Sequence, residues 1–219
     1  MYEERPSDLP KLGHRPYIQG GTIFNGIAAL CDQLVGPKWL DGGLVTSFKL
    51  EREAVANGRL ILTDAAVATL DPNSTFVVRG RGPTIYGYFI DEGRPFRVEP
   101  YNEESFYQVV DVQPDLRGEF IFAAGRPRAD FMRGLVGANK LLHQKATRFG
   151  CELTHIQFLY LRGMETTCLQ RFSEEYRVTI SNATVSDRGA EVWTINDVSV
   201  RGTSFASAFR ICYRAQRRG

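Results

Sequence analysis

The chain has 219 residues, 43% of them hydrophobic, enough for one large core or two small ones. Its 27 basic and 25 acidic residues leave a net charge of +2, so there is no global field for nucleic acid. No apolar run approaches the ~20 residues that a membrane helix needs, the N-terminus lacks a signal-peptide core, and a cytoplasmic protein is expected.

In chain order, residues 1–13 carry Pro6, Pro10 and Gly13 and read as an irregular arm. From Thr22 to Leu34 the apolar residues Ile23, Phe24, Ile27, Ala28, Leu30, Cys31 and Leu34 follow helical spacing with a broad buried face. Gly36-Pro37 ends that helix. Strands are expected at 44–50, 59–63, 75–79 and 85–90, with Asn57-Gly58 as a hairpin signal before the second. Residues 91–118 are polar and hold three prolines, so they read as a connection, with a strand near Phe106–Val110 inside it. A strand at 119–123 leads into a second helix, 131–147, on which Lys140 and His143 are assigned to the exposed side. Strands follow at 155–161, 176–180, 191–195, 198–201 and 206–213, with a turn at Asp187-Arg188-Gly189. The four cysteines form no C-x-x-C pair, so a zinc or redox motif finds no support and each is read as a small buried residue.

The order helix-then-strands occurs twice. Arg15-Pro16 before the first helix recurs as Arg126-Pro127 before the second, about half a chain length on. A repeat of this kind comes first in any reading because it decides the fold. It divides the chain into an N-terminal half, 1–93, a connecting segment, 94–118, and a C-terminal half, 119–219. Each half is then one long helix that is apolar on most sides because its own curved sheet encloses it.

Arg15-Pro16-Tyr17-Ile18-Gln19-Gly20 resembles the run that opens the helix of the 3-hydroxyacyl-carrier-protein dehydratases. Asn25 stands where that family has an acid. Gln19-Gly20-Gly21 is similar to the His-Gly-Gly helix start of the hot-dog thioesterases, with Gln in place of His. The resemblance implies an α+β double hot-dog fold: two long helices, each wrapped by an antiparallel β-sheet. It implies an enzyme acting on an acyl thioester of coenzyme A or of an acyl carrier protein, or on a polyketide-like intermediate, by dehydration or proton-transfer isomerisation. An acyl thioesterase and a non-catalytic acyl or small-molecule binding protein are the alternatives. No cofactor or metal is called for, and a homodimer is compatible with it.

Gly20 and Gly21 at a helix start offer backbone N–H groups to a developing oxyanion, or serve only tight packing. His14 suits a general base for a proton next to a thioester carbonyl, or is a surface histidine of the arm. Gln19 and Asn25 can donate hydrogen bonds but cannot transfer protons. The offset between the halves aligns Asp130 with Gln19, as a helix-capping carboxylate or as an acid paired with His14 across a shared cleft. Arg126, Arg128 and Arg133 crowd that second helix start and suit a phosphate or carboxylate. The candidate site is thus His14, Asn25 and Asp130 for chemistry, and Tyr17, Gln19, Gly20, Gly21, Arg128 and Arg133 for substrate.

Overall fold

The computed structural model describes residues 2–170 and 174–218. The chain divides into two compact units, one of Met1–Asn102 with Glu165–Thr167 and one of Glu103–Met164 with Cys168–Gly219.

The first unit runs β1 (Tyr2–Pro6), β2 (Lys11–Leu12), α1 (Gly20–Leu34), a 3-10 turn (Pro37–Leu40), β3 (Leu44–Leu50), β4 (Asn57–Thr63), β5 (Ser74–Arg79), β6 (Ile85–Arg94) and β7 (Val98–Glu99). Five strands form an antiparallel sheet in the order β1-β4-β6-β5-β3, and β2 pairs with β7 in parallel. Helix α1 lies on β4, β5 and β6. Its buried face is the one the spacing predicts: Ile23, Phe24 and Ile27 are wholly enclosed. The Phe24 ring meets Phe48 and Phe76 edge-on, with centroids 5.5 and 5.4 Å away, the arrangement aromatic quadrupoles favour. Gly87 of β6 lets the helix settle onto the sheet, since a Cβ there would lie 2.6 Å from a methyl of Ile27.

The N-terminal arm is not irregular. Residues 2–6 form β1 along the edge of β4, and the side chain that holds the following segment is Asn57. Asn57 is 1% exposed. Its Oδ1 accepts from the Ser7 hydroxyl at 3.0 Å and from Leu9 N–H at 2.9 Å, while its Nδ2 donates to the Leu9 carbonyl at 3.0 Å. Asn57-Gly58 is therefore not a hairpin turn. The pair lies inside β4 at a slip in its register with β6, and a Cβ on Gly58 would overlap the carbonyl oxygen of Ile90. A bulge and a turn ask for the same small residues, so local sequence does not separate them.

The second unit contains a 3-10 turn (Glu103–Phe106), β8 (Gln108–Gln113), β9 (Arg117–Phe122), α2 (Arg128–Lys145) and β10 (Leu153–Arg162). The unit boundary runs through β11 (Met164–Glu165) and the short helix α3 (Thr167–Gln170), after which come β12 (Tyr176–Arg188), β13 (Glu191–Arg201) and β14 (Ala206–Arg217). Its antiparallel order is β10-β14-β13-β12-β9-β8. Helix α2 packs on β8, β9, β10 and the 3-10 turn. The stretch 91–118 is thus largely structured: β6 continues to Arg94, and β7, the 3-10 turn and β8 follow. His155 sits at φ +46 where the pairing of β10 with β14 slips between Thr154 and Gln157.

His143 is not on an exposed side of α2. It is 1% exposed and faces the sheet, while Lys140 is half-buried and pairs with Glu103 at 2.7 Å. Cys31, Cys168 and Cys212 are buried as expected, and Cys151 is half-buried. Among the described residues no helix is long and apolar enough to cross a membrane.

Candidate active site at the helix entries

The first helix entry is built by the segment that leads into α1. Gly13 takes φ +66 and its N–H donates to the Glu99 carbonyl at 2.9 Å, which turns the chain toward the helix. Ile18 is then fixed by its N–H on the Ala54 carbonyl, 2.7 Å away. Gln19 is the N-cap, in extended conformation, and its side chain does not cap the helix. Instead its amide Nε2 donates to the Leu12 carbonyl at 3.2 Å, so this buried side chain ties the entry to β2.

Gly20 and Gly21 are the first two helical residues, and both are buried. Their N–H groups come before the first intrahelical donors, Thr22 N–H and Ile23 N–H, which bond the Gln19 carbonyl at 2.9 and 3.1 Å. The next side chain, Thr22, is 4% exposed and its Oγ1 has no hydrogen-bond partner. A buried unpartnered hydroxyl costs on the order of 1–3 kcal/mol. Two amides that no intrahelical carbonyl can take and one unpartnered hydroxyl therefore stand at the positive end of a 15-residue helix. Asn25, one turn on and half-buried, shares the face of Gly21 and Thr22 through its i−4 and i−3 spacing. His14 is exposed and Tyr17 half-buried, both on the segment ahead of the helix.

The second entry belongs to the other unit. Gly125 at φ +77 and Pro127 as N-cap turn the chain into α2. Asp130 accepts no capping role. Its own N–H donates to the Pro127 carbonyl at 2.9 Å, and its carboxylate, on a residue 8% exposed, stands 3.6 Å from the Arg133 guanidinium and 3.9 Å from that of Arg126. Burial pushes the Asp130 carboxyl above its ordinary range, and the two arginines pull the other way without cancelling it. Arg126 also donates to the Ser105 carbonyl at 2.6 Å, and Arg128 is half-buried as the first helical residue.

The structure thus brings Gln19, Gly20, Gly21 and Asn25 together in the first unit, with Tyr17 and His14 on the segment that precedes them. It groups Arg128, Asp130 and Arg133 in the second. Sequence reading missed Thr22, because whether a hydroxyl finds a partner is decided by packing. It also missed a polar cluster inside the second unit. His143 Nδ1 lies 2.7 Å from the Asn139 carbonyl and Nε2 lies 2.7 Å from Thr194 Oγ1. Asn139 accepts from the Asn196 amide at 2.9 Å, and Asn182 in turn donates to Asn196 at 3.0 Å. A signal was present: Val192, Thr194, Asn196, Val198 and Val200 alternate inward on β13, which places two polar residues in the core.

Among the described residues, no group of three His, Cys, Asp or Glu side chains is arranged to hold a metal ion. A cavity of about 630 Å³ in the second unit is lined by Tyr107, Leu141 and Lys145 among others, away from the α2 entry. Burial and the nearby Glu103 and Glu104 push the Tyr107 phenol up to about 12.

A helix laid on an antiparallel sheet, its glycine entry buried, defines an α+β protein of a recognisable kind. No protein-family model and no curated protein matches the sequence. Solved structures do match in shape. A hot-dog-fold protein of unknown function from Alicyclobacillus acidocaldarius superposes with a TM-score of 0.52 at 10% identity, over 93% of this chain and 88% of that one. A protein described as a thioesterase from Novosphingobium aromaticivorans gives 0.51 at 12% identity, over 100% and 95%. One described as an oleoyl thioesterase from Lactobacillus plantarum gives 0.51 at 9%, over 100% and 97%. The chain has the hot-dog fold.

Proposed function

We propose that this chain is a double hot-dog enzyme acting on an acyl thioester, carried by coenzyme A or an acyl carrier protein, by abstraction and return of protons beside the thioester carbonyl. The observation that carries the reading is the α1 entry: buried Gly20 and Gly21 amides with the unpartnered Thr22 hydroxyl at a helix N-terminus. Buried donors at a helix N-terminus stabilise charge that develops on a carbonyl oxygen, which is the largest single contribution in many enzymes.

In this reading His14 takes the proton from the carbon next to the carbonyl of a 3-hydroxyacyl thioester. The electron pair moves to the carbonyl oxygen, which Gly20, Gly21 and Thr22 hold. The 3-hydroxyl takes a proton from solvent as the C–O bond breaks, water leaves with the enoyl thioester, and His14 then gives its proton up to solvent. Asn25 and Gln19 orient the acyl group, and Tyr17 packs on it. Incubation with 3-hydroxyacyl thioesters tests this: an enoyl product supports it, and an unchanged substrate overturns it.

Hydrolysis is the second reading. Two solved structures of similar fold are described as thioesterases, and Asn25 is neutral, suited to orienting a water. Release of free thiol without enoyl product favours this reading.

A further inference from the structure

At the far end of α1, roughly 20 Å along its axis from the glycine entry, the first unit holds a partly open cavity of about 610 Å³. Its wall is apolar: Leu34, Val35, Trp39, Val78 and Ile85. Trp39 and Ile85 are 4% exposed and Val78 1%. The Trp39 indole is fixed, its N–H on Asp32 Oδ1 at 2.8 Å and its ring edge-on to Phe76 at 6.4 Å. An apolar hollow of this volume is of the size that takes small ligands.

The mouth of the cavity is charged. Lys38 and Arg81 line it and are exposed, and among the described residues neither has a hydrogen-bond or ion-pair partner. Asp41 and Asp64 line it too, but each already engages another group. Two cations are left without a counter-charge above an apolar floor. A neutral alkane satisfies the floor and not the rim; a small anion satisfies the rim and leaves the floor wet. A ligand with both parts satisfies both.

We propose that this cavity binds a carboxylate amphiphile of the fatty-acid class, its chain against Trp39, Val78 and Ile85 and its carboxylate at Lys38 and Arg81. The proposal does not rest on the thioester chemistry at the other end of the helix, and its readout is binding rather than turnover.

The full chain carrying Trp193→Phe keeps Trp39 as its one remaining indole, since the chain holds two tryptophans. Titration with decanoate gives a saturable change in Trp39 fluorescence. Affinity rises about fourfold per added methylene from octanoate to dodecanoate. Decanol and decyltrimethylammonium bind at least tenfold more weakly, and the double variant Lys38→Gln/Arg81→Gln, altered only at exposed positions, loses decanoate affinity at least tenfold. A rise in melting temperature of the unmodified protein with decanoate, absent in the double variant, reports the same binding without the tryptophan change. A silent titration with no thermal shift, equal binding of decanol, or a double variant that binds decanoate as well as the parent overturns the proposal.

Discussion

Thr194 donates its hydroxyl hydrogen to Nε2 of His143 across 2.7 Å, with Thr194 wholly enclosed and His143 1% exposed. The direction follows from the other ring nitrogen. Nδ1 faces the Asn139 carbonyl, which can only accept, so Nδ1 carries the hydrogen and Nε2 is left as the acceptor. The imidazole is neutral, and burial pushes its pKa down to about 4.

That pairing gives a pH dependence of stability. The folded state binds the proton at His143 more weakly than the unfolded chain, whose value is near 6.5. Between about pH 6.5 and pH 4 the unfolded state therefore carries more protons, and the native state loses stability as pH falls. Above pH 6.5 this contribution is fully present. The total loss is about 3 kcal/mol. Urea unfolding at pH 7 and pH 4.5 measures it, and His143→Gln reduces the proton uptake on unfolding in that window by close to one.

Asn57 joins the N-terminal segment to β4 through bonds that water cannot replace. Asn57→Ala strands the Ser7 hydroxyl and both backbone groups of Leu9, and costs about 3 kcal/mol. Gly58→Ala costs more, because its Cβ meets the backbone of β6 rather than a side chain that can move. Denaturant midpoints at constant m-value check both.

Thr22→Val separates folding from catalysis. The substitution keeps the shape and removes a hydroxyl that has no partner, so stability rises by about 1–3 kcal/mol. On the oxyanion reading, turnover of the acyl thioester falls about a hundredfold. Thermal melts and steady-state rates on one preparation decide it.

Much of this was readable in the residues. The run Ile23, Phe24, Ile27 and Leu30 dictates α1, and Gly20-Gly21 marks its entry. The strands at 44–50 and around 75–79, 85–90 and 119–122 follow from alternation and turn residues. What was unreadable depends on partners far along the chain. Tyr2–Pro6 shows no alternation because an edge strand with exposed faces needs none. Asn57-Gly58 gives the same local signal as a turn. His143 reads as a surface residue by polarity alone, and Thr194, 51 positions away, joins the Asn139 carbonyl in making its burial tolerable.

Asp130 responds to its neighbours in a stated direction. Arg133→Gln removes a charge that holds the carboxyl down, so the Asp130 pKa rises further above the ordinary aspartate range. Carbon-detected NMR titration of the side chain reads the rise directly.

The central claim is that the α1 entry stabilises an enolate of an acyl thioester, and deuterium incorporation measures that step alone. A saturated acyl thioester is incubated with the protein in heavy water and the intact thioester is analysed by mass spectrometry. Deuterium at the carbon beside the carbonyl, entering with the native protein and lost with His14→Gln, is the predicted result. A thioester that stays undeuterated, whether it is recovered whole or hydrolysed to free thiol, contradicts it.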